Sequence, residues 1–142
     1  MKIGFTTRDS VHINAHFGSA SQIDVYDAND RGYAFLETLK FEDDLKEDGN
    51  EDKLQPKLQA LKDCAIVYVS AIGGSAAARL IQKNITPIKA QSENDEIQDV
   101  LLRLVKTLNG SPPPWLRKAL SKGQSHTFED EFETTIEEEI TV

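Results

Sequence analysis

Five consecutive apolar residues, Ala65-Ile66-Val67-Tyr68-Val69, carry no polar interruption, the pattern of a β-strand covered on both of its faces. Such a strand belongs at the centre of a sheet with helices packed on either side, and the rest of the chain is arranged around that demand. Lys2 to Thr6 and Gln22 to Asp27 read as the first two strands. The turn signal Asn29-Asp30-Arg31-Gly32 separates the second from a third over Tyr33 to Phe41, in an antiparallel meander. Leu54, Leu58 and Leu61 recur at helical spacing ahead of the central run. After it, Gly73-Gly74 interrupts, Ser75 is the predicted N-cap, and Ala76 to Ile81 is strong helix-forming material ending near Asn84. Ile85 to Ala90 is a short strand whose internal Pro87 implies an edge position. Ile97, Val100, Leu101, Leu104, Val105 and Leu108 form the apolar stripe of a helix over 96–108, stopped by Asn109-Gly110.

The order β-β-β-α-β-α-β-α, with right-handed crossovers, is satisfied by an α/β fold. The expected arrangement is a mixed five-stranded sheet of ribonuclease H-like topology, spatial order 3-2-1-4-5, with helices packed on its faces. The first and fourth strands then lie parallel and adjacent. The loop after the first and the Gly73-Gly74 turn after the fourth emerge at one sheet end, where open α/β sheets bind ligands. The 142 residues suit one domain able to bury a core without disulfides. We assign residues 1–110 to it and 111–142 to an appended segment. That segment starts as a polyproline-type stretch, Ser111-Pro112-Pro113-Pro114-Trp115-Leu116, and ends in an acidic, flexible tail, with order expected to decay after about Leu120.

Charge is distributed unevenly. Residues 129–142 carry seven acids and no base, and residues 42–52 carry seven acids against Lys46, so the net −8 leaves a remaining body of ten acids and fifteen lysines and arginines, about +5. A basic body can receive an anion. Aromatics do not interleave with the bases as a nucleic-acid stacking surface requires, so no nucleic-acid partner is expected. No apolar run reaches the ~20 residues needed to span a bilayer. The N-terminus opens directly into a strand pattern without a signal-peptide core, which predicts a cytoplasmic protein with no membrane partner. The single cysteine, Cys64, cannot pair internally or supply a four-thiolate site. It is read as a buried thiol at the opposite sheet end, and a metal centre here would borrow ligands or arrive prebuilt.

Two short constellations carry chemistry. His16, flanked by Phe17 and Gly18, offers an imidazole suited to iron in a loop where glycine lets a bulky ligand approach, although a plain surface histidine has the same pattern. Gly73 and Gly74 before Ser75 would present free N–H groups to an anion, although close strand–helix packing explains a glycine pair nearly as well. Arg8 is the candidate charge partner, His12 a supporting residue behind His16, and His126 a solvated side chain.

Asn14-Ala15-His16-Phe17-Gly18 after the first strand, Ala71-Ile72-Gly73-Gly74-Ser75-Ala76-Ala77 after the central one, and Pro112-Pro113-Pro114-Trp115-Leu116 together resemble the dinitrogenase iron-molybdenum cofactor biosynthesis family. The resemblance covers residues 1 to about 110 and extends into the tail. It implies a ribonuclease H-like fold and a carrier, not an enzyme. The cargo would be an iron–sulfur precursor or the finished iron–molybdenum cofactor, transiently bound, and the partners a NifEN-type scaffold and a NifB-type cluster donor. It also implies His16 as the metal ligand, Phe17 and Gly18 shaping its loop, and Gly73, Gly74 and Ser75 as the neighbouring turn.

The carboxylates of a two-metal nuclease are missing from 2–6 and 65–70, and no Gly-x-Ser-x-Gly elbow marks a hydrolase. The competing expectation is a module that recognises a phosphate or nucleotide at Gly73-Gly74.

Overall fold

The computed structural model describes residues 1–41 and 54–124, with side chains to Ser121. The expected exposed acidic loop at 42–52, the acidic tail and His126 lie outside them. Five strands, β1 (Lys2–Thr6), β2 (Gln22–Asn29), β3 (Gly32–Lys40), β4 (Cys64–Val69) and β5 (Thr86–Lys89), form one sheet in the order β3-β2-β1-β4-β5. β1 pairs antiparallel with β2 and parallel with β4, while β4 pairs parallel with β5. This is the expected mixed sheet, with β4 inside it and the Pro87 strand at one edge.

Helices close both faces. On one, Leu58 and Leu61 of α1 (Gln55–Ala60) and its C-cap join Ala76 and Leu80 of α2 (Gly74–Gln82) over Ile23, Val25, Val67 and Val69. Gly4 permits this close approach: a Cβ there would stand 3.1 Å from Ile23 Cγ2 and 3.2 Å from Leu61 Cδ2. On the other face, α3 (Ile97–Asn109) lays Ile97, Val100, Leu101 and Leu104 against Ile3, Phe5 and Ile66, and Phe5 stacks on Tyr68 with ring centroids 5.2 Å apart. α2 is closed just past its C-cap Lys83 by Asn84, whose φ of 63° is left-handed, with Asn84 N–H donating to Ile81 O and Ile85 N–H to Leu80 O, the paired bonds of a Schellman cap.

Two expectations need correction. The polyproline-type stretch ends at Pro113 and turns helical at Pro114: α4 spans Pro114–Gln124, and Leu116 and Ala119 are buried in the α3-side core. Proline is tolerated at the first helical position, where its missing N–H would have had no partner anyway, so Pro114 starts a helix rather than prolonging an extended run. The N-cap of α2 is Gly73, and Ser75 lies at the second helical position without a side-chain cap bond. Cys64 is buried at the start of β4, at the far end of the strand from Gly73. Among the described residues no helix is long and apolar enough to cross a membrane.

Candidate functional site

The loop from β1 to β2 looks polar and irregular as sequence, yet from His12 to Gly18 it alternates in burial. Ile13 and Phe17 are each 0% exposed and Ala15 is buried, while His16 is exposed. Ile13 enters the α3-side core and Phe17 the α1/α2-side core, so the loop is wedged into both layers. Main-chain bonds fix the same register. Ile13 N–H donates to Asp95 O (2.9 Å) and Ile97 N–H to Val11 O (2.8 Å), while Phe17 N–H donates to Ala71 O (2.9 Å) and Ser70 N–H to Ala15 O (3.1 Å). The buried Thr6 hydroxyl adds a 2.7 Å bond to Ala15 O. His16 therefore pairs beside Ala71 as a short parallel extension of β4, two residues before Gly73, with its side chain in solvent on a held backbone.

His16 opens onto a cleft of about 300 Å³ whose wall includes Arg8, Asn14, Ser19, Ser21 and Glu93. Arg8 is clipped to Asn14 twice: its N–H donates to Asn14 Oδ1 (2.8 Å) and its Nε–H to Asn14 O (3.0 Å). The Arg8 guanidinium makes no ion pair among the described residues, so its charge is directed at the cleft, with Glu93 as the opposing charge. Among the described residues Gly18 has no protein atom within 4 Å of where a Cβ would project, which leaves room for a large ligand at its backbone. Its carbonyl accepts a 2.9 Å bond from Lys57 Nζ, an amine buried beneath the loop and 5.5 Å from the Phe41 ring centroid. Lys57 was missed in the sequence. The available signal was a cation on the apolar stripe shared by Leu54, Leu58 and Leu61.

Gly73, Gly74 and Ser75 share the sheet end with His16 but lie outside the cleft wall. Among the described residues nothing stands within 4 Å of a Cβ at either glycine, and Gly73 has an ordinary extended backbone (φ −76°, ψ 158°). Close strand–helix packing therefore does not explain the pair. Among the described residues the α2 N-terminus has no side-chain cap, and the neighbouring Ser70 Oγ is buried without a hydrogen-bond partner.

His12 is not in the cleft wall. Its Nδ1 lies 2.7 Å from Asp9 Oδ2, and Asp9 Oδ1 accepts the N–H groups of Val11 (2.9 Å) and His12 (2.8 Å). The hydrogen bond to Asp9 raises the His12 pKa, and the same bond, with the two backbone donors, holds Asp9 well below the usual carboxylate range. The stabilisation from His12 is complete below its ordinary pKa of about 6.5 and is lost as pH rises through the raised value. That from Asp9 is present above its ordinary pKa and is lost only as pH falls through the lowered one. Protection of the Val11 and His12 amides from hydrogen exchange, corrected for intrinsic rates, should be flat in mildly acid solution and decline above neutrality. Asp9→Asn, which keeps the Oδ1 acceptor, should flatten that decline; an unchanged slope would exclude the ion pair as its source.

Among the described residues no three His, Cys, Asp or Glu side chains gather as a metal site, so a metal ligated by His16 would bring its other ligands with it. The family model for dinitrogenase iron-molybdenum cofactor proteins matches residues 1–107. The chain is 48% identical over 133 residues to Protein NifX of Herbaspirillum seropedicae, covering 92% of this chain and 90% of that protein. It is 42% identical over 139 residues to Protein NifX of Sinorhizobium fredii, covering 92% and 86%. The crystal structure of PH0822 has the same fold, with a TM-score of 0.58 at 17% identity over 82% of this chain and 98% of that one.

Proposed function

The chain belongs to the dinitrogenase iron-molybdenum cofactor family and serves iron–molybdenum cofactor biosynthesis, and from that premise we propose that it is a carrier rather than an enzyme. It binds an iron–sulfur precursor or the finished cofactor at the His16 cleft and passes it between assembly proteins, a NifB-type donor and a NifEN-type scaffold among them. The observation that carries this reading is His16 itself, an exposed imidazole on a backbone fixed from both sides. It shares an open cleft with Arg8, whose guanidinium makes no ion pair among the described residues. A preassembled anionic cluster needs from its carrier one coordinate bond, a favourable field and room to leave. A single imidazole meets the first need, Arg8 the second and the bare Gly18 backbone the third. Glu93 in the same wall limits how tightly the anion is held, which favours release.

The open glycines at the α2 N-terminus support a second reading, recognition of a phosphate or nucleotide at Gly73-Gly74. Anaerobic titration of the apoprotein with isolated iron–molybdenum cofactor, and separately with ATP and inorganic phosphate, decides between them. The carrier reading expects stoichiometric uptake of iron and cofactor absorption with no thermal shift from nucleotide. Nucleotide stabilisation without cofactor uptake would replace it.

The glycines give a further expectation within the carrier reading. Gly74→Ala, at the first helical position with no described protein atom within 4 Å of the added methyl, should leave stability unchanged or raise it by up to about 1 kcal/mol, whereas Gly73→Ala, at the N-cap where alanine is disfavoured, should cost about 0.5–1 kcal/mol. If the cluster approaches this backbone, the methyl of Gly74→Ala weakens cofactor binding while the melting temperature holds or rises. Unchanged binding would remove the turn from the site.

A further inference from the structure

A second groove lies away from the His16 cleft, on the α3/α4 side of the sheet. It encloses about 230 Å³ against Tyr68, Ile88, Leu104 and Trp115, with Lys89 and Arg103 at its margin. Trp115 is 44% exposed, unusual for the largest side chain of the protein. Lys89 and Arg103 are exposed and make no ion pair among the described residues. The one acid in the lining, Asp95, is engaged locally by the Gln91 N–H (2.9 Å) and the Ser92 hydroxyl (3.4 Å). An apolar floor with unpaired cations at its edge fits an amphipathic segment rich in acids.

The chain carries such a segment. Phe128, Phe132, Ile136 and Ile140 recur every four residues, and seven acids with no base fill the positions among them from Glu129 onward. Wound as a helix, that spacing places all four apolar side chains in one stripe, while Glu129, Glu133 and Glu137, four apart, repel one another unless cations offset them. The reach is adequate. Gln124, where α4 ends, is nine residues beyond Trp115, about 14 Å along the helix, and the four residues to Phe128 span about 13 Å when extended.

We propose that the groove of Tyr68, Ile88, Leu104 and Trp115 is the docking site of the protein's own acidic C-terminal segment, with the Phe132 and Ile136 side chains on its apolar floor and the flanking carboxylates paired with Lys89 and Arg103. The docking does not depend on the carrier reading, since no cofactor enters it.

Trp115 is the only tryptophan, so its fluorescence reports the groove alone. The test compares acrylamide quenching of the full-length protein with that of full-length Phe132→Ser/Ile136→Ser and Lys89→Glu/Arg103→Glu. Both variants change exposed or C-terminal side chains and leave the buried core as it is. The expected result is a quenching constant at least twofold larger in each variant than in wild type, a red-shifted emission, and a wild-type value that rises toward theirs in 1 M salt. Equal quenching in wild type and the Phe132→Ser/Ile136→Ser variant overturns the proposal. Protection that appears only as protein concentration rises also overturns it, because the occupant is then the segment of a second copy.

Discussion

Phe17→Ala should lower the unfolding free energy by about 3–5 kcal/mol and the melting temperature by roughly 10–20 °C, although Phe17 sits in a loop beside an exposed histidine. The side chain is 0% exposed and packs with Ile23, Val25, Leu58, Leu61 and Val67. It is the loop's only large anchor in the α1/α2-side core. Truncation empties a volume that β-strand and helix backbones on opposite sides cannot collapse to fill. The loss should also reach function. Without its wedge, the loop is still held by Ile13 and by hydrogen bonds, but no large side chain anchors the backbone next to His16, and the imidazole loses its fixed direction. Urea denaturation gives the free energy directly, and a cost below about 1 kcal/mol would mean that the loop is not held by this side chain.

The sheet was legible because its elements carry unambiguous periods. The unbroken Ala65–Val69 run sits at β4, paired on both sides. The α3 stripe of Ile97, Val100, Leu101 and Leu104 is the buried face observed. Once β4 is central and crossovers are right-handed, few strand orders remain. Helix boundaries were less legible where local chemistry offered two solutions. Ser75 is a better N-cap by residue type than Gly73, but the strand extension through Ala71 brings the chain to the helix two residues earlier. Three prolines suggest extended chain, and only Leu116 and Ala119 finding a core make Pro114 the start of a helix.

The site was half legible. His16 and Arg8 do share a cleft, and His16 does meet the β4 exit next to the glycine turn. The reason for its rigidity was not read, because Ile13, Ala15 and Phe17 are too few apolar residues among polar ones to announce a strand-like alternation. His12 was expected as a supporting residue behind His16, and its Nδ1 instead faces Asp9. Lys57 reaches the underside of the loop from α1, and Glu93 reaches the cleft wall from the loop after β5, contacts that depend on tertiary structure and leave little local mark.

His16→Ala should separate the site from the fold that Phe17 supports. The imidazole is exposed and makes no side-chain hydrogen bond among the described residues, so its removal should change stability by no more than about 0.5 kcal/mol. Cofactor affinity should fall at least tenfold, since losing even an outer partner of a metal ligand costs about 10–100-fold, and His16 is proposed as the ligand itself. Arg8→Gln should cost less, and the difference should shrink with salt because its contribution is a screened field rather than a bond. Added imidazole distinguishes a ligand from a shape effect: a free imidazole can fill the space left by His16→Ala and restore the iron-bound absorption, whereas it cannot rebuild a lost contact between protein groups. Full binding by His16→Ala would leave the carrier proposal standing but move its ligand off this loop. Loss of binding without imidazole rescue would make His16 a shaping residue and direct the search to the backbone of Gly73 and Gly74.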